Sequence, residues 1–395
     1  MRGPGGGAVE EAARFEGALL ELLGDLVKAG GYTEDREELE RKADLLEEEL
    51  SRRGLRVARE EGELGPHLVA RNAAAGEGKP TLLVGHYDTV APPVPGGHRL
   101  SLEGNLVRGR AVADMNGGIV AILGALELLG KEGALEKVPL EVILVSDEER
   151  GSGSAVPVLK REGARAERAL VFEPGREETG VVLGRKGRRA LEITVHGREA
   201  HAGIAPETGI NALAEAASIL GPAEEKAKSL EVTLVIGGRT RVYPGVPNTV
   251  PGKVVMSGDL RYHEERAAKA MIEELERVVN VTPARIAGAG LPPNRVEVLS
   301  GRPAWVVKRE DRLLFEMARE IARELGFEIK AVYAGGGSDA NHLAELGAPV
   351  LDGLGPVGGN FHREDEFILL PTLLQRVLLA VELVRRSAGI SREEG

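Results

Sequence analysis

Three short apolar runs in the first half of the chain each end in a metal-type ligand or an acid, and this arrangement constrains the fold more than any other feature. Thr81-Leu-Leu-Val-Gly85 runs into His86-Tyr-Asp88, Val142-Ile-Leu-Val145 into Ser146-Asp-Glu-Glu149, and Ala169-Leu-Val-Phe172 into Glu173-Pro-Gly175. Runs of this length, rich in β-branched and aliphatic side chains, read as buried parallel strands. In open α/β sheets the chemistry collects at the carboxyl ends of such strands. Asp114 stands at the opening of a helical stretch, Asn116 to Leu129, and His362 sits in Phe361-His-Arg near the C-terminus. Two histidines and several carboxylates on one rim are the donors that hard and borderline divalent ions take. The pattern therefore points to metal-assisted hydrolysis.

Composition narrows the alternatives. A length of 395 residues is long for one core and predicts two domains. Aromatic residues make up 3% of the chain and the net charge is −11, which argues against a stacking platform or a phosphate-backbone partner, so no nucleic acid is expected. No apolar run is expected to reach the roughly 18–20 residues of a membrane span, and the N-terminal Met1-Arg-Gly-Pro-Gly-Gly-Gly lacks the apolar segment of an export signal. A cytoplasmic protein without a membrane partner is the expectation. With no Cys, a metal must be held by His, Asp and Glu.

Periodicity organises the rest. Phe15, Leu19, Leu22, Leu23 and Leu26 share a helix face, and Leu39, Ala43, Leu46 and Leu50 share another that ends before Gly54. Asp35 with Glu38 resembles a capping box. Strand-like runs at 55–58, 67–71 and 81–84, the helix after Asp114 and the run Leu140–Val145 complete a βαβ pattern. After Gly187 the style changes: Leu191, Ile193 and Val195 alternate with polar neighbours, as in a half-exposed antiparallel strand. Helices and strands follow in β-α-β-β-α order, with a last strand at 295–299, which is ferredoxin-like. The domains expected are thus 1–186 with 301–395, split by an insert at 187–300.

Single residues in these motifs carry bland readings too. The chain holds 62 acids, which makes about ten adjacent acid pairs by chance, so Glu148-Glu149 gains meaning only from its place after a strand. His86-x-Asp88 reads either as a polar turn or as a ligand whose ring is fixed by the neighbouring carboxylate. Asp114 reads as a helix-start acid, Glu173 as a turn residue, and His362 as a solvated histidine, unless they converge. His201, in Glu199-Ala-His-Ala-Gly203, is a turn histidine or a donor to a developing oxyanion. Arg261 is a surface charge or a carboxylate clamp, and Arg185 at the domain junction is equally open. The run Gly335-Gly-Gly-Ser-Asp-Ala-Asn341 lets backbone approach a ligand closely but lacks the lysine of a nucleotide loop.

Taken in order, Gly85-His-Tyr-Asp-Thr-Val90, Ala113-Asp-Met-Asn-Gly-Gly118, Ser146-Asp-Glu-Glu149, Val171-Phe-Glu-Pro-Gly175, Gly197-Arg-Glu-Ala-His-Ala-Gly203, Asn248-Thr-Val-Pro251 and Gly335–Asn341 strongly resemble the co-catalytic zinc peptidases. That family includes glutamate carboxypeptidase, acetylornithine deacetylase and succinyl-diaminopimelate desuccinylase. Arg185-Lys-Gly187 and the Glu-Pro-Gly run look most like the glutamate carboxypeptidase branch. The resemblance implies an α/β catalytic domain with a mixed, mostly parallel sheet and an inserted ferredoxin-like lid or dimerisation domain. It implies two zinc ions per subunit, with cobalt or manganese as alternatives. His86 and Glu173 would bind one ion, Glu149 and His362 the other, and Asp114 would bridge them. Asp88 would orient His86, Glu148 would be the general base, and His201 would stabilise the intermediate in a partner subunit of a homodimer. Asn248, Arg261, Arg185 and the loop Gly336, Gly337 and Ser338 would hold a small peptide or N-acyl amino acid. The implied reaction is hydrolysis of an amide or peptide bond next to a free carboxylate, such as release of a C-terminal glutamate. An N-acyl-amino-acid deacylase is the alternative, and a non-catalytic binding relative is the remote one. One departure stands out: Asn116 occupies the place where this family usually has Lys.

Overall fold

The computed structural model describes residues 5–94, 97–280 and 288–389. The chain divides into two compact units. One is formed by the chain up to Gly184, Val307–Ala334 and the chain from Ser338 onward; the other comprises Arg185–Val306 with Gly335–Gly337.

The first unit is built on a six-stranded sheet. Its strands β1 (Arg56–Glu60), β2 (His67–Arg71), β3 (Thr81–His86), β4 (Leu140–Val145) and β5 (Arg168–Val171) are joined by the short segment Val350–Leu351. The spatial order is β1-β2-β4-β3-β5 and then 350–351. β3 is parallel to β4 and β5, β5 is parallel to 350–351, and β2 alone runs against its neighbours. This is the mixed, mostly parallel sheet expected. Every residue of β3 and β4 is buried, which explains why their runs are apolar without alternation. The register sets His86 beside Val145 and Val84 beside Val171, so the three chains leave the sheet side by side.

Helices α1 (Gly5–Ala29) and α2 (Arg36–Arg52) precede the sheet, and α3 (Gly118–Lys131) is almost wholly buried. Val112–Lys131 is, against expectation, long and apolar enough to cross a membrane, but 83% of its window is buried inside the protein, as suits a core helix. Asp114 does not open a helix: it lies in an irregular turn, Val112–Gly117, with extended backbone (φ −112°, ψ 90°), and the regular helix starts at Gly118. Gly118 is needed there because a Cβ would sit 2.0 Å from the Phe172 carbonyl oxygen. Asp35 does cap α2 by accepting from Glu38 N at 3.0 Å. The Glu38 carboxylate does not return the bond to Asp35; it accepts from Gly31 N and Tyr32 N, each at 2.9 Å.

A four-stranded mini-sheet of very short segments, with no clear sequence signal, lies in the same unit. Phe367–Leu369 pairs with Leu106–Arg108 on one side and Gly358–Gly359 on the other. It ties the loop carrying His362 to the chain that enters the Asp114 turn.

The second unit contains a sheet of β6 (Gly187–His196), β7 (Thr233–Tyr243), β8 (Lys253–Tyr262) and β9 (Arg295–Arg302) in the antiparallel order β7-β8-β6-β9. With helices Ala212–Ser229 after β6 and Glu265–Val279 after β8, this is the ferredoxin-like order. Leu191, Ile193, Val195, Val254, Met256 and Leu260 from the sheet pack with Ala216, Ile219, Met271 and Leu275 from the helices. The main segment of the unit runs from Arg185 to Val306, and near its two ends Arg185 and Trp305 exchange backbone hydrogen bonds.

Candidate metal centre

Beyond the carboxyl ends of β3, β4 and β5, five side chains meet in two overlapping groups. His86, Asp114 and Glu173 form one, and Asp114, Glu149 and His362 form the other; within each, the potential ligand atoms lie within 4.8 Å of one another. Asp114 belongs to both. Its Oδ1 is 3.0 Å from His86 Nε2, and its Oδ2 is 3.2 Å from His362 Nε2. Glu173 Oε1 is 3.7 Å from His86 Nε2, and Glu149 Oε1 is 3.2 Å from His362 Nε2. Two nitrogen or oxygen ligands of one tetrahedral ion, each about 2.1 Å from it, stand about 3.4 Å apart, so these spacings suit divalent ions.

The surroundings hold the ligands in place. His86 Nδ1 lies 3.3 Å from Asp88 Oδ1 and 3.1 Å from the Asp88 carbonyl oxygen, leaving Nε2 toward Asp114. Asp88 is buried and also accepts from the backbone N–H groups of Glu148 (3.1 Å) and Glu149 (3.2 Å). His362 takes left-handed backbone at φ 65°, a conformation uncommon for non-glycine residues.

Electrostatics favour a cation here. Burial pushes Glu149 up to about 7 and Glu173 well above the usual carboxylate range, with the charge of Asp114 adding to both. Burial works to lower His86, but Asp114 and Asp88 outweigh it and raise the imidazole well above its ordinary value. Asp114 and Glu149 lift His362 to about 10. Burial works to raise Asp114, and the two imidazoles outweigh it and hold that carboxyl far down. The charge of Glu148 acts on His86, Glu149 and Glu173. Converging carboxylates that repel one another, beside two imidazoles with Nε2 turned inward, form a donor set that divalent ions fit.

Nothing in the sequence singles out Glu366. It is 1% exposed, and Oε1 accepts from Ala113 N and Asp114 N at 2.8 and 2.9 Å while Oε2 accepts from His362 N at 3.1 Å. Burial pushes it up to about 7. It stands in the acid-rich run Arg363-Glu-Asp-Glu366, where no periodicity sets one acid apart.

The residues expected to touch substrate fall into local groups. In the second unit, His201 pairs with Thr249, accepts from Gly203 N at 3.1 Å through Nδ1, and is exposed. The Asn248 carbonyl accepts from Ala202 N at 2.8 Å. Arg261 Nε binds Asp259 Oδ1 at 2.6 Å, and Arg188 Nε binds the other Asp259 oxygen at 2.6 Å. Arg185 is buried and donates to the Gly336 and Gly337 carbonyls at 3.0 and 3.5 Å. In the first unit, Ser338 is buried and donates to Asp352 Oδ2 at 2.7 Å. Asn116 is buried, and its amide donates to the Arg110 carbonyl at 3.4 Å.

Residues 82–386 match the profile of Peptidase family M20/M25/M40. The chain belongs to this family. The M20/M25/M40 chain is similar to carboxypeptidase G2 of Pseudomonas sp. (strain RS-16), with 29% identity over 382 residues covering 93% of this chain and 88% of that protein. It is also similar to the succinyl-diaminopimelate desuccinylase of Delftia acidovorans, 28% identical over 331 residues, covering 77% of this chain and 81% of that protein. Among solved structures, aminopeptidase PepT from Bacillus cereus matches with a TM-score of 0.78 at 23% identity, covering 94% of this chain and 99% of that one, a likeness of fold. The chain is accordingly a hydrolase of the metallo-carboxypeptidase/amidohydrolase class. Peptidases of this family are generally metal-dependent, and the two groups around Asp114 are candidate ligands.

Proposed function

We propose that this chain is a dinuclear zinc hydrolase that cleaves an amide or peptide bond beside a free carboxylate, with release of a C-terminal glutamate as the leading case. Asp114 carries the reading: it turns one oxygen toward each of two histidines, as a bridge between two ions requires. In this proposal His86 and Glu173 hold one ion, and Glu149 and His362 the other. Zinc, or cobalt or manganese in its place, would supply polarisation of the scissile carbonyl and a water of lowered pKa. Glu148 takes the proton of the attacking water and delivers it to the leaving amine, the work of a positioned carboxylate. Asp88 keeps the His86 ring turned and, through the two backbone N–H groups, keeps the Glu148-Glu149 turn in place.

For the substrate, Arg261 offers a guanidinium oriented by Asp259, a geometry suited to a carboxylate. Asn248 and the loop Gly336, Gly337 and Ser338 complete the binding groups, with Arg185 bracing that loop through two carbonyls. The second unit serves as the lid and pairs two subunits, and His201 donates to the oxyanion in the partner's centre. Support for pairing comes from β7: among the described residues it has a sheet neighbour on one side only, and Val235 and Tyr243 on it are exposed. An open edge of this kind is a template for a second copy.

A second reading, N-acyl-amino-acid deacylase, draws on the similarity to the desuccinylase and uses the same centre. Elemental analysis, paired with amine release from C-terminal-glutamate and N-acyl substrates with and without chelator, tests both. About two metals per chain and chelator-sensitive release support the proposal, and the substrate preferred separates the readings. No bound metal, and no turnover after zinc, cobalt or manganese is added back, overturns it. Sedimentation of the purified protein checks the dimer, and a monomer at all concentrations excludes it.

A further inference from the structure

The carboxylate of Asp88 receives one more donor, from far upstream. Thr33 lies in the connection between α1 and α2, 55 residues before Asp88, and outside the residues 82–386 that match the family profile. Its hydroxyl donates to Asp88 Oδ2 at 3.1 Å, and both residues are 1% exposed. Oδ2 is the oxygen that also takes Glu149 N, while Oδ1 takes Glu148 N and faces His86 Nδ1. A carboxylate turns easily about its terminal torsion, which is broad and two-fold. Donors on both oxygens are what hold it at one angle.

Thr33 is itself firmly held. Thr33 N donates to the Thr89 carbonyl at 2.9 Å, and Thr89 N to the Gly31 carbonyl at 2.8 Å. Glu38 Oε2 collects Gly31 N, Tyr32 N and Arg110 Nη1, and Lys42 Nζ donates to the Gly30 carbonyl at 2.9 Å. Gly31 has φ +108°, and a Cβ on it would lie 2.5 Å from the Tyr87 carbonyl oxygen, so this chain passes against the end of β3 only as glycine. A hydroxyl mounted on so braced a segment is a fixed reference point for Asp88.

We propose that Thr33 is a positioning residue for the metal centre, fixing the rotation of Asp88 and, through it, the His86 ring and the turn that carries Glu148 and Glu149. The inference rests on the proposed metal-binding role of this centre. Removal of the hydroxyl takes from Asp88 Oδ2 its side-chain donor, leaves the Glu149 N–H on that oxygen, and loosens the angle at which Oδ1 faces His86 Nδ1.

The test compares wild type, Thr33→Val and Thr33→Ser. Zinc affinity is measured on the metal-stripped protein by competition with a chromophoric chelator, alongside the melting temperature of the stripped protein and kcat and KM of the reloaded one. In T33V zinc affinity falls by about 10- to 100-fold, the range for loss of a group that orients a metal ligand. kcat falls with it while KM stays within about twofold, and T33S, which keeps the hydroxyl, restores both. Wild-type zinc affinity and kcat in T33V, whatever its melting temperature, overturn the proposal and reduce Thr33 to a packing residue. If T33V does not fold, Thr33→Ala carries the same measurement. A wild-type protein that takes up no zinc would instead strike the metal-centre reading itself, so the two failures are told apart.

Discussion

Glu366 holds Asp114 by its backbone: one carboxylate oxygen accepts both Ala113 N and Asp114 N, and the other reaches His362 N across the centre. Residues 248 positions apart, Asp114 and His362, are thereby fixed by one buried acid. Glu366→Gln keeps the size but turns an NH2 group toward one set of N–H donors. We expect about 1–3 kcal/mol loss of stability and about 10- to 100-fold weaker metal binding. Thermal unfolding and chelator competition check this, and unchanged metal affinity would refute it.

Replacement of Glu148 with Gln separates proton transfer from metal binding. The Glu148 backbone N–H stays on Asp88, so the turn is kept. Metal content should remain at the wild-type value, and turnover should fall by about 10²- to 10⁴-fold, the usual contribution of a general base. Full activity in E148Q would refute the base assignment.

Gly118→Ala tests the start of α3. The added Cβ meets the Phe172 carbonyl oxygen at 2.0 Å, and backbone has to move. Phe172 precedes Glu173, and Gly118 follows the Asp114 turn, so the strain falls between two proposed ligands. A loss of about 1–3 kcal/mol, the range for overpacking, is expected together with weaker metal binding. Denaturant unfolding and metal analysis of the variant measure both.

Lys42 gives the protein an alkaline signature. Burial, with the charge of Arg110, lowers it from 10.5 to about 7, although Asp88 and Glu38 pull the other way. Between these pH values the unfolded chain holds a proton that the folded chain has released, so this group makes stability rise with pH by up to about 1.4 kcal/mol per unit across that window. Lys42→Met should remove this slope. Parallel pH profiles of unfolding free energy for the two proteins isolate the contribution, and identical slopes would exclude it.

How far the sequence reached follows from what kind of signal each element emits. β3 and β4 are buried on both faces, so Leu82–Val84 and Val142–Val145 stand as apolar runs without alternation, each followed by a candidate ligand or acid. The alternation of Leu191, Ile193 and Val195 likewise announced a sheet with one covered face. The start of α3 differs from the sequence expectation because an acid before an apolar helix looks like an N-terminal charge, whereas Asp114 sits in an irregular turn with extended backbone. Glu38 has the spacing of half a capping box, and spacing alone cannot tell which backbone N–H groups a carboxylate will reach.

By itself, then, the sequence determined the buried strands of the main sheet, their order of chemistry-bearing ends, the ferredoxin-like insert and the family resemblance, since run length, periodicity and motif spacing are local properties of the chain. Only the tertiary structure decided that Asp114 faces both His86 and His362, that Glu366 among many acids is the buried brace, and that Thr33 reaches Asp88. Those relationships join segments separated by tens to hundreds of residues, and they arise where strand register, a mini-sheet of two- and three-residue strands and a glycine-permitted close approach bring the segments together.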